Sequence, residues 1–320
     1  NTIFLFSSLI FFLSLLFFLI SISQITSQIR IDKFDYNKKN NILSNVVQSK
    51  QIDSETVLEK IVLDGFDSKI PFYHFMNKRN DKKNYIILLH GLGGSKNDWV
   101  RPSQPYLQWS ENLKVIKDSL ISLGYSLIIP DAKYHGERSY ELDFRLAEYL
   151  PPKLSRNEKD GKYFELLMTT TVKDVRIIMD YLQFRFEIPD LKFGIIGYSM
   201  GGALAIILNA SDSRISTVVA CVPPLNHPEK ELLEFSWSEE INKGLSDVTP
   251  INYSNFQKSP ILLLMGSKDF FYTEEEVSSF FKNIPITEKE LKYFEAGHVL
   301  PNEYKIDAIR WVTKHNSGNN

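Results

Sequence analysis

The chain has 320 residues, of which 43% are hydrophobic and 24% are charged. These proportions are ordinary for a globular protein with a substantial core, and the length fits one large domain or two small ones. The formal net charge of −2 provides no basic excess, so a nucleic-acid partner is not expected. A single cysteine, Cys221, excludes a disulfide within the chain.

An uncharged apolar segment occupies residues 3–23. Its length suits a membrane-spanning signal anchor, whereas the small residues Ser21 and Ser23 would suit the cleavage site of a signal peptide. Both interpretations stay open, and under either one residues 1–25 form an apolar helix and the protein is membrane-anchored or secreted. Residues 3–23 are then the expected point of membrane association. Residues 26–55 are polar and rich in Asn and Lys, which we interpret as a linker.

Strands and helices alternate from about Thr56 onward. Residues 59–77 predict a β-hairpin with its turn at Asp67 and Ser68. The continuous apolar run YIILLHG, residues 85–91, is typical of a strand buried on both faces of a parallel sheet. Apolar residues then recur at helical spacing up to a glycine, which predicts a helix and its C-terminal end.

The alternation continues towards the C-terminus. Further strands are predicted at 125–132, 192–197, 215–222, 260–266 and 290–296, and further helices around 172–182, at 200–210, from a capping box at 273–276 and at 303–312. Apolar strands that alternate with helices imply an α/β protein with a doubly wound, mostly parallel sheet. We place this domain at residues 56–315.

Two stretches, residues 140–163 and 225–247, do not fit the alternation. Each follows a strand, so each lies at the carboxyl edge of the sheet, where open α/β sheets bind ligands. We interpret both as short lid insertions rather than as a separate domain. Their large apolar side chains favour an apolar acyl pocket: Tyr140, Phe144, Tyr149, Leu225, Leu232, Leu233, Phe235 and Trp237.

A G-x-S-x-G motif, GYSMG at residues 197–201, stands between a predicted strand and a predicted helix. In that context the serine occupies a strained turn that lifts its hydroxyl above the sheet edge. Gly197 and Gly201 would remove side chains that collide where the strand and the helix pass. The alternative is a glycine-rich turn with an incidental serine. We predict that Ser199 is a nucleophile.

A serine hydroxyl needs a base to become a good nucleophile. His298 directly follows the last predicted strand, although a histidine there could also be an ordinary loop residue. Asp269 follows the penultimate strand, and Thr273 is a better cap than Asp269 for the next helix. The chain order of Ser199, Asp269 and His298 is the order that the α/β-hydrolase arrangement requires. We therefore predict a catalytic triad.

Negative charge that develops on a substrate oxygen needs preorganised donors. We predict that these are the backbone N–H groups of Met200, at a helix N-terminus, and of Leu92, in the loop HGLGGS. His90, Asp131 and His135 also lie at the sheet edge, and we interpret them as groups that shape loops, with substrate contact by His135 as the less favoured alternative. No spacing suits a metal site or a phosphate loop, so neither a metal nor a cofactor is expected.

Five motifs stand where the α/β-hydrolase superfamily has its oxyanion loop, following strand loop, nucleophile elbow, acid loop and histidine loop: HGLGGSKNDW, PDAKYHGERS, GYSMGGALA, MGSKD and AGH. In these motifs the chain resembles that superfamily over roughly residues 56–312. It is most similar to the dienelactone-hydrolase-like and prolyl-oligopeptidase-like esterases. Dienelactone hydrolases proper use a cysteine nucleophile, so Ser199 favours the esterase branch. Many soluble relatives lack the N-terminal apolar segment.

The resemblance implies a serine hydrolase that cleaves a small-molecule acyl ester through an acyl-enzyme intermediate. Two alternatives remain at this point. One is a thioesterase or peptidase that uses the same triad. The other is a non-catalytic binding protein with a hydrolase fold, which an intact triad disfavours because a binding protein has no need of those three residues.

Overall fold

The computed structural model describes residues 31–38, 42–79, 84–101, 108–151, 155, 157–226 and 237–316. The chain divides into two compact units, Asn1–Asp35 and Tyr36–Asn320. In the first unit the described residues form a turn in which the Phe34 N–H donates to the Ile31 carbonyl at 3.0 Å. The predicted apolar helix at residues 3–23 lies outside the described residues and stays a prediction. Within the described residues no helix is long and apolar enough to cross a membrane.

The second unit is built on a nine-stranded sheet. Its strands are β1 (Ser44–Gln51), β2 (Thr56–Asp64), β3 (Lys69–Asn77), β4 (Tyr85–Leu89), β5 (Ser126–Pro130), β6 (Phe193–Tyr198), β7 (Ile215–Cys221), β8 (Ile261–Gly266) and β9 (Lys289–Phe294). They lie in the order β1-β2-β3-β5-β4-β6-β7-β8-β9. Strands β1, β2, β3 and β5 pair antiparallel in succession, and every pair from β5–β4 to β8–β9 is parallel. The predicted mostly parallel sheet and the predicted β2–β3 hairpin are confirmed.

Helices cover this sheet on both faces. They are α1 (Gln108–Ser122), α2 (Glu158–Phe186), α3 (Met200–Ser211), α4 (Glu239–Ser246), α5 (Glu274–Asn283) and α6 (Tyr304–His315). Helix α1 packs against α6, whereas α2 packs against α3 and α4. Every residue of β4, β5, β6 and β8 is buried, which requires cover on both sides and explains why these strands read as continuous apolar runs.

Strand β1 lies within residues 26–55, which composition indicates as a linker. All eight of its residues are exposed, so no buried face produces an apolar alternation that a sequence pattern could detect. Its register with β2 shifts between Val46 and Gln48, an irregularity typical of sheet edges. The sheet therefore begins at Ser44, earlier than the sequence predicts.

The two lid insertions contain short helices, but their exposed aromatic residues do not form the expected pocket. Residues 140–163 include the end of one 3₁₀ helix (Gly136–Leu142), a second 3₁₀ helix (Ala147–Tyr149) and the start of α2. Leu142 and Arg138 take the buried positions of the first 3₁₀ helix. Tyr140, Phe144 and Tyr149 are consequently 49%, 74% and 56% exposed, and none of the three is among the residues that line the cavity beside Ser199 described below. Leu225 and Trp237 are buried, and Leu232, Leu233 and Phe235 lie outside the described residues.

Removal of β1 should destabilise the sheet. A chain from Tyr36 to Asn320 retains the β1–β2 ladder, whereas a chain that begins at Asp53 leaves the edge of β2 unpaired. We expect the shorter chain to have a Tm lower by about 5 °C and to self-associate more, as measured by thermal denaturation and size-exclusion chromatography. Equal Tm values for the two chains would show that β1 adds no stability.

Candidate active site

Ser199 lies where β6 becomes α3. Its φ of 54° and ψ of −117° are uncommon for a residue with a side chain and cost about 1–3 kcal/mol. A Cβ on Gly197 would stand 2.0 Å from the Gly201 carbonyl oxygen, and a Cβ on Gly201 would stand 2.3 Å from the Leu89 carbonyl oxygen. The two glycines therefore allow β4, β6 and α3 to approach closely, for the steric reason that the motif predicts.

Backbone hydrogen bonds hold this strained turn in place. The Ser199 N–H donates to the Cys221 carbonyl at the end of β7, at 2.8 Å. The Ser199 carbonyl accepts from the Ala203 N–H in the first turn of α3, at 3.1 Å. The serine is thus fixed between a neighbouring strand and its own helix, and its side chain stands at the carboxyl edge of the sheet.

Ser199, His298 and Asp269 meet at this edge, at the ends of β6, β9 and β8. The His298 Nε2 lies 2.8 Å from the Ser199 Oγ, and the His298 Nδ1 lies 2.7 Å from the Asp269 Oδ2. The Asp269 side chain is fully buried, whereas that of His298 is 23% exposed. An Nδ1–H that donates to the buried carboxylate leaves Nε2 able to accept from the serine hydroxyl.

The loop that carries Asp269 is fixed by its own backbone. The Asp269 Oδ1 accepts from the Phe271 N–H at 3.0 Å, which orients the carboxylate. At the end of β8 the Tyr272 Oη accepts from the Gly266 N–H at 2.8 Å. Burial, aided by the charge of Asp269, raises the pKa of the Tyr272 hydroxyl well above its usual value, so this hydroxyl stays neutral. Tyr272 is therefore a support of the site that the sequence did not indicate.

Tyr198 is a second supporting residue that the sequence did not indicate. Its hydroxyl donates to the His298 carbonyl at 2.9 Å and accepts from the Leu300 N–H at 3.0 Å. Burial raises the pKa of this hydroxyl well above its usual value. Tyr198, directly before Ser199, thus ties the end of β6 to the loop that carries His298. It occupies a position of the G-x-S-x-G motif where any residue is allowed, so the motif gave no signal for it.

The two predicted oxyanion donors, Leu92 and Met200, line the same cavity as Ser199 and His298. Met200 is the first residue of α3, so its N–H has no acceptor within the helix. The Leu92 N–H follows β4 and donates to no backbone carbonyl of the described residues. Two uncommitted backbone donors therefore lie beside the serine.

His90 and His135 shape the loops at this edge, as the sequence predicts. The His90 Nε2 accepts from the Ala132 N–H at 3.0 Å, and the His135 Nε2 accepts from the Gly93 N–H at 3.1 Å. Both rings are buried, and neither lines the cavity beside Ser199. His135 thus holds the glycine next to Leu92, and the alternative of substrate contact by His135 is not supported.

Asp131 completes this support of the Leu92 loop. Its carboxylate accepts from the backbone N–H groups of Lys96 and Glu137, at 2.8 and 3.0 Å. It also pairs with the Lys96 ammonium group, which is fully buried, and Lys96 in turn contacts Glu137 at 2.6 Å. A buried charge must be paired to be tolerated, so this cluster fixes the two loops relative to each other.

A cavity of about 270 Å³ opens beside Ser199. Its apolar wall comes from α2, α3 and several loops: Leu92, Pro151, Phe164, Met168, Ala203, Pro224 and Phe271. Helix α2 supplies Phe164 and Met168. In the sequence, the helical spacing of these two residues indicates only that they face the core. The other polar lining residues besides the serine and histidine are Glu148 and Asn226. In the described part of the chain, no three His, Cys, Asp or Glu side chains form a group that could hold a metal ion.

This fold and this site define an α/β hydrolase. The dienelactone hydrolase family matches residues 70–312, most of the chain. The chain therefore belongs to the dienelactone hydrolase family and is an enzyme of the hydrolase class, as its motifs predict.

Two Bacillus subtilis (strain 168) proteins are similar in sequence. YtaP, an inferred hydrolase, is 26% identical over 183 residues, which cover 54% of this chain and 55% of YtaP. The chain thus spans about half the length of that relative. YitV, an inferred esterase, is 21% identical over 286 residues, which cover 82% of this chain and 97% of YitV.

Solved structures share the fold at low sequence identity. Acetyl xylan esterase 1 from Thermoanaerobacterium sp. JW/SL YS485 superposes with a TM-score of 0.63 at 16% identity, over 90% of this chain and 92% of that chain. A cold-adapted esterase from an Arctic intertidal metagenomic library gives a TM-score of 0.61 at 14% identity, over 84% and 97% of the two chains. At such identities the likeness establishes the fold.

Loss of the Tyr198 hydroxyl should misplace the histidine loop. In Tyr198→Phe the His298 carbonyl and the Leu300 N–H each lose a partner, while the ring stays in the core. We expect kcat for a chromogenic ester to fall about tenfold with little change in KM, and the free energy of unfolding to fall by about 1–2 kcal/mol. Steady-state kinetics and urea denaturation measure both. Tyr140→Phe, at an exposed tyrosine, is the matched control, and an unchanged kcat in Tyr198→Phe would contradict this role.

Acid should destabilise the protein in part through His135. Burial, together with the neighbouring His90 ring, lowers the pKa of His135 to about 3. In the unfolded chain the His135 imidazole becomes protonated below a pH of about 6.5, whereas in the folded protein it stays neutral until the pH approaches 3. The contribution of His135 to the free energy of unfolding is therefore fully present above a pH of about 6.5 and is lost as the pH falls towards 3. In His135→Gln a neutral amide oxygen can accept from the Gly93 N–H without titrating. Between pH 8 and 5 we expect the wild type to lose about 2 kcal/mol more unfolding free energy than His135→Gln. Equal changes with pH in the free energy of unfolding of the wild type and His135→Gln would contradict this.

Proposed function

We propose that the protein is a serine carboxylic-ester hydrolase that uses Ser199, His298 and Asp269 as a catalytic triad. The observation that carries the proposal is the unbroken pair of hydrogen bonds, 2.8 and 2.7 Å long, from the serine hydroxyl through the imidazole to the buried carboxylate. The names of YitV and of the acetyl xylan esterase supply the ester bond as the substrate class.

The first half of the reaction transfers the acyl group to the serine. His298 Nε2 takes the hydroxyl proton as the Ser199 Oγ attacks the carbonyl carbon. Negative charge develops on the carbonyl oxygen, to which the N–H groups of Leu92 and Met200 donate. The imidazolium then gives its proton to the alcohol oxygen, the carbon–oxygen bond breaks, and the alcohol leaves an acyl-enzyme.

The second half repeats these steps with water. His298 takes a proton from a water molecule, whose oxygen attacks the acyl carbon, and the same two N–H groups donate to the new oxyanion. Collapse of this intermediate returns the proton to the Ser199 Oγ and releases the carboxylic acid. Throughout both halves, Asp269 orients the imidazole and stabilises its positive charge.

The cavity favours a small acyl ester. A volume of about 270 Å³ is close to the lower limit of ligand pockets, and the wall is mostly apolar. A short acyl chain fits this space, whereas a long one would have to extend past the lid residues. Acetate esters are therefore the first substrates to test.

The triad should act as one unit. We expect Ser199→Ala to lower kcat for 4-nitrophenyl acetate by about 10⁵-fold and to abolish labelling by a fluorophosphonate probe, because both reactions need the same oxygen. His298→Ala should cost nearly as much and Asp269→Ala less. The double variant Ser199→Ala/His298→Ala should be no slower than Ser199→Ala alone.

Ser213→Ala, which removes an exposed hydroxyl just after α3, is the matched control and should retain activity and labelling. A pure preparation of Ser199→Ala that keeps most of its esterase activity would refute the mechanism. The same acetyl group offered as an oxygen ester, a thioester and an amide decides between the proposed reaction and the thioesterase or peptidase alternatives. The proposal requires the highest kcat/KM for the oxygen ester.

A further inference from the structure

Glu148 is the only carboxylate among the described residues that line the cavity beside Ser199, and no lysine or arginine is among them. It lies half-buried in the 3₁₀ helix Ala147–Tyr149. Its carboxylate forms no hydrogen bond or ion pair with any described residue. Neighbouring lid charges do have partners, since Arg145 pairs with Asp160 at 2.6 Å. A carboxylate with no partner among the described residues, in a mostly apolar cavity, is available to pair with a positively charged group of the substrate.

The position of Glu148 makes its charge relevant to the reaction. A Cβ built on Gly93 would stand 2.2 Å from the Glu148 Oε2, so the carboxylate lies against the loop that presents the Leu92 N–H. Negative charge at this point repels an anionic substrate and also opposes the negative charge that develops on the substrate oxygen. A positive charge on the substrate would offset both effects.

The rest of the wall suits a cation of low hydration. Phe164 and Phe271 present aromatic rings and Met168 presents a polarisable sulfur, while no other charged lid residue is among the described residues that line the cavity. A quaternary ammonium group is apolar in outline and needs no hydrogen bond, so an aromatic wall with one nearby carboxylate matches it.

We propose that Glu148 is a specificity-determining residue that makes the enzyme prefer esters carrying an ammonium group over neutral and anionic esters of the same shape. This inference rests on the proposed ester hydrolysis. It adds no step to the reaction: the cation is bound beside the reacting ester and takes no part in bond breaking.

Isosteric substrates test the charge alone. Acetylcholine and 3,3-dimethylbutyl acetate have the same shape and differ by one positive charge on the alcohol. Methyl 4-(trimethylammonio)butanoate and methyl 5,5-dimethylhexanoate form the equivalent pair on the acyl side. Because the ammonium group also activates an ester chemically, the measure is the change in the kcat/KM ratio of each pair between the wild type and Glu148→Gln.

We expect Glu148→Gln to lower the cationic-to-neutral ratio about fivefold in one pair at low salt, and added salt to lower the wild-type ratio in the same direction. The pair that responds identifies the part of the substrate nearest Glu148. Asp143→Asn removes a charge from an exposed lid residue outside the cavity and should leave both ratios unchanged. Ratios that are equal in the wild type and Glu148→Gln, in both pairs, overturn the inference while the proposed function stands.

A binding measurement separates the two proposals. The cationic ester of the responding pair, titrated into Ser199→Ala in a calorimeter, should bind more weakly once Glu148→Gln is added to that variant, even if no ester is turned over. Failure of the wild type to hydrolyse any ester, neutral or cationic, would refute the proposed function. Equal binding of both cationic esters by the single and double variants would refute the charge selection.

Discussion

The close packing of three backbone segments at the end of β6 is the constraint on which the site depends. Gly197 and Gly201 have no side chains, so α3 can start directly against β4 and β6, and the chain can turn at Ser199 with a positive φ. This tight turn directs the Ser199 hydroxyl away from the sheet. It also directs the N-terminus of α3 towards the space beside that hydroxyl. Strain of about 1–3 kcal/mol at one residue thus gives both a raised serine hydroxyl and a neighbouring backbone donor.

The supporting groups around this turn divide into two kinds. Tyr198 and Tyr272 are neutral hydroxyls, kept neutral by burial, and they hold the histidine and acid loops through backbone bonds. Asp131 and Lys96 are opposite charges in the interior, and they hold the loop on the other side of the serine. Because neither tyrosine hydroxyl titrates near neutral pH, the bonds that hold the histidine and acid loops respond little to mild changes in pH. The buried His135 makes acid the condition that strains this arrangement.

Much of the fold and the meeting of Ser199, Asp269 and His298 at one sheet edge could be predicted because the responsible patterns are local. A strand buried on both faces must be apolar throughout. A glycine-flanked serine directly after such a strand has few explanations other than a strained turn that raises its hydroxyl. The cavity wall could not be predicted, because residues such as Phe164 on α2 show the same helical spacing whether they face the core or a ligand. Strand β1 escaped detection for the opposite reason, since an edge strand with no buried face carries no alternation. Tyr198 was missed because its role depends on contact with a loop a hundred residues away, which spacing within the motif cannot show.

The proposed reacting groups and the groups that shape the cavity therefore lie on different kinds of structure. Ser199 and Asp269 follow the buried strands β6 and β8, and His298 follows the edge strand β9, so the sheet sets the positions of all three. Glu148 stands on a single turn of 3₁₀ helix in a lid, where it contacts the Leu92 loop but bonds to none of the described residues. A substitution at Glu148 can alter which substrate charge is favoured without moving the strand ends, because Glu148 forms no hydrogen bond with any described residue. The proposed charge preference is consequently free to change while the position of Ser199 is held fixed by the core.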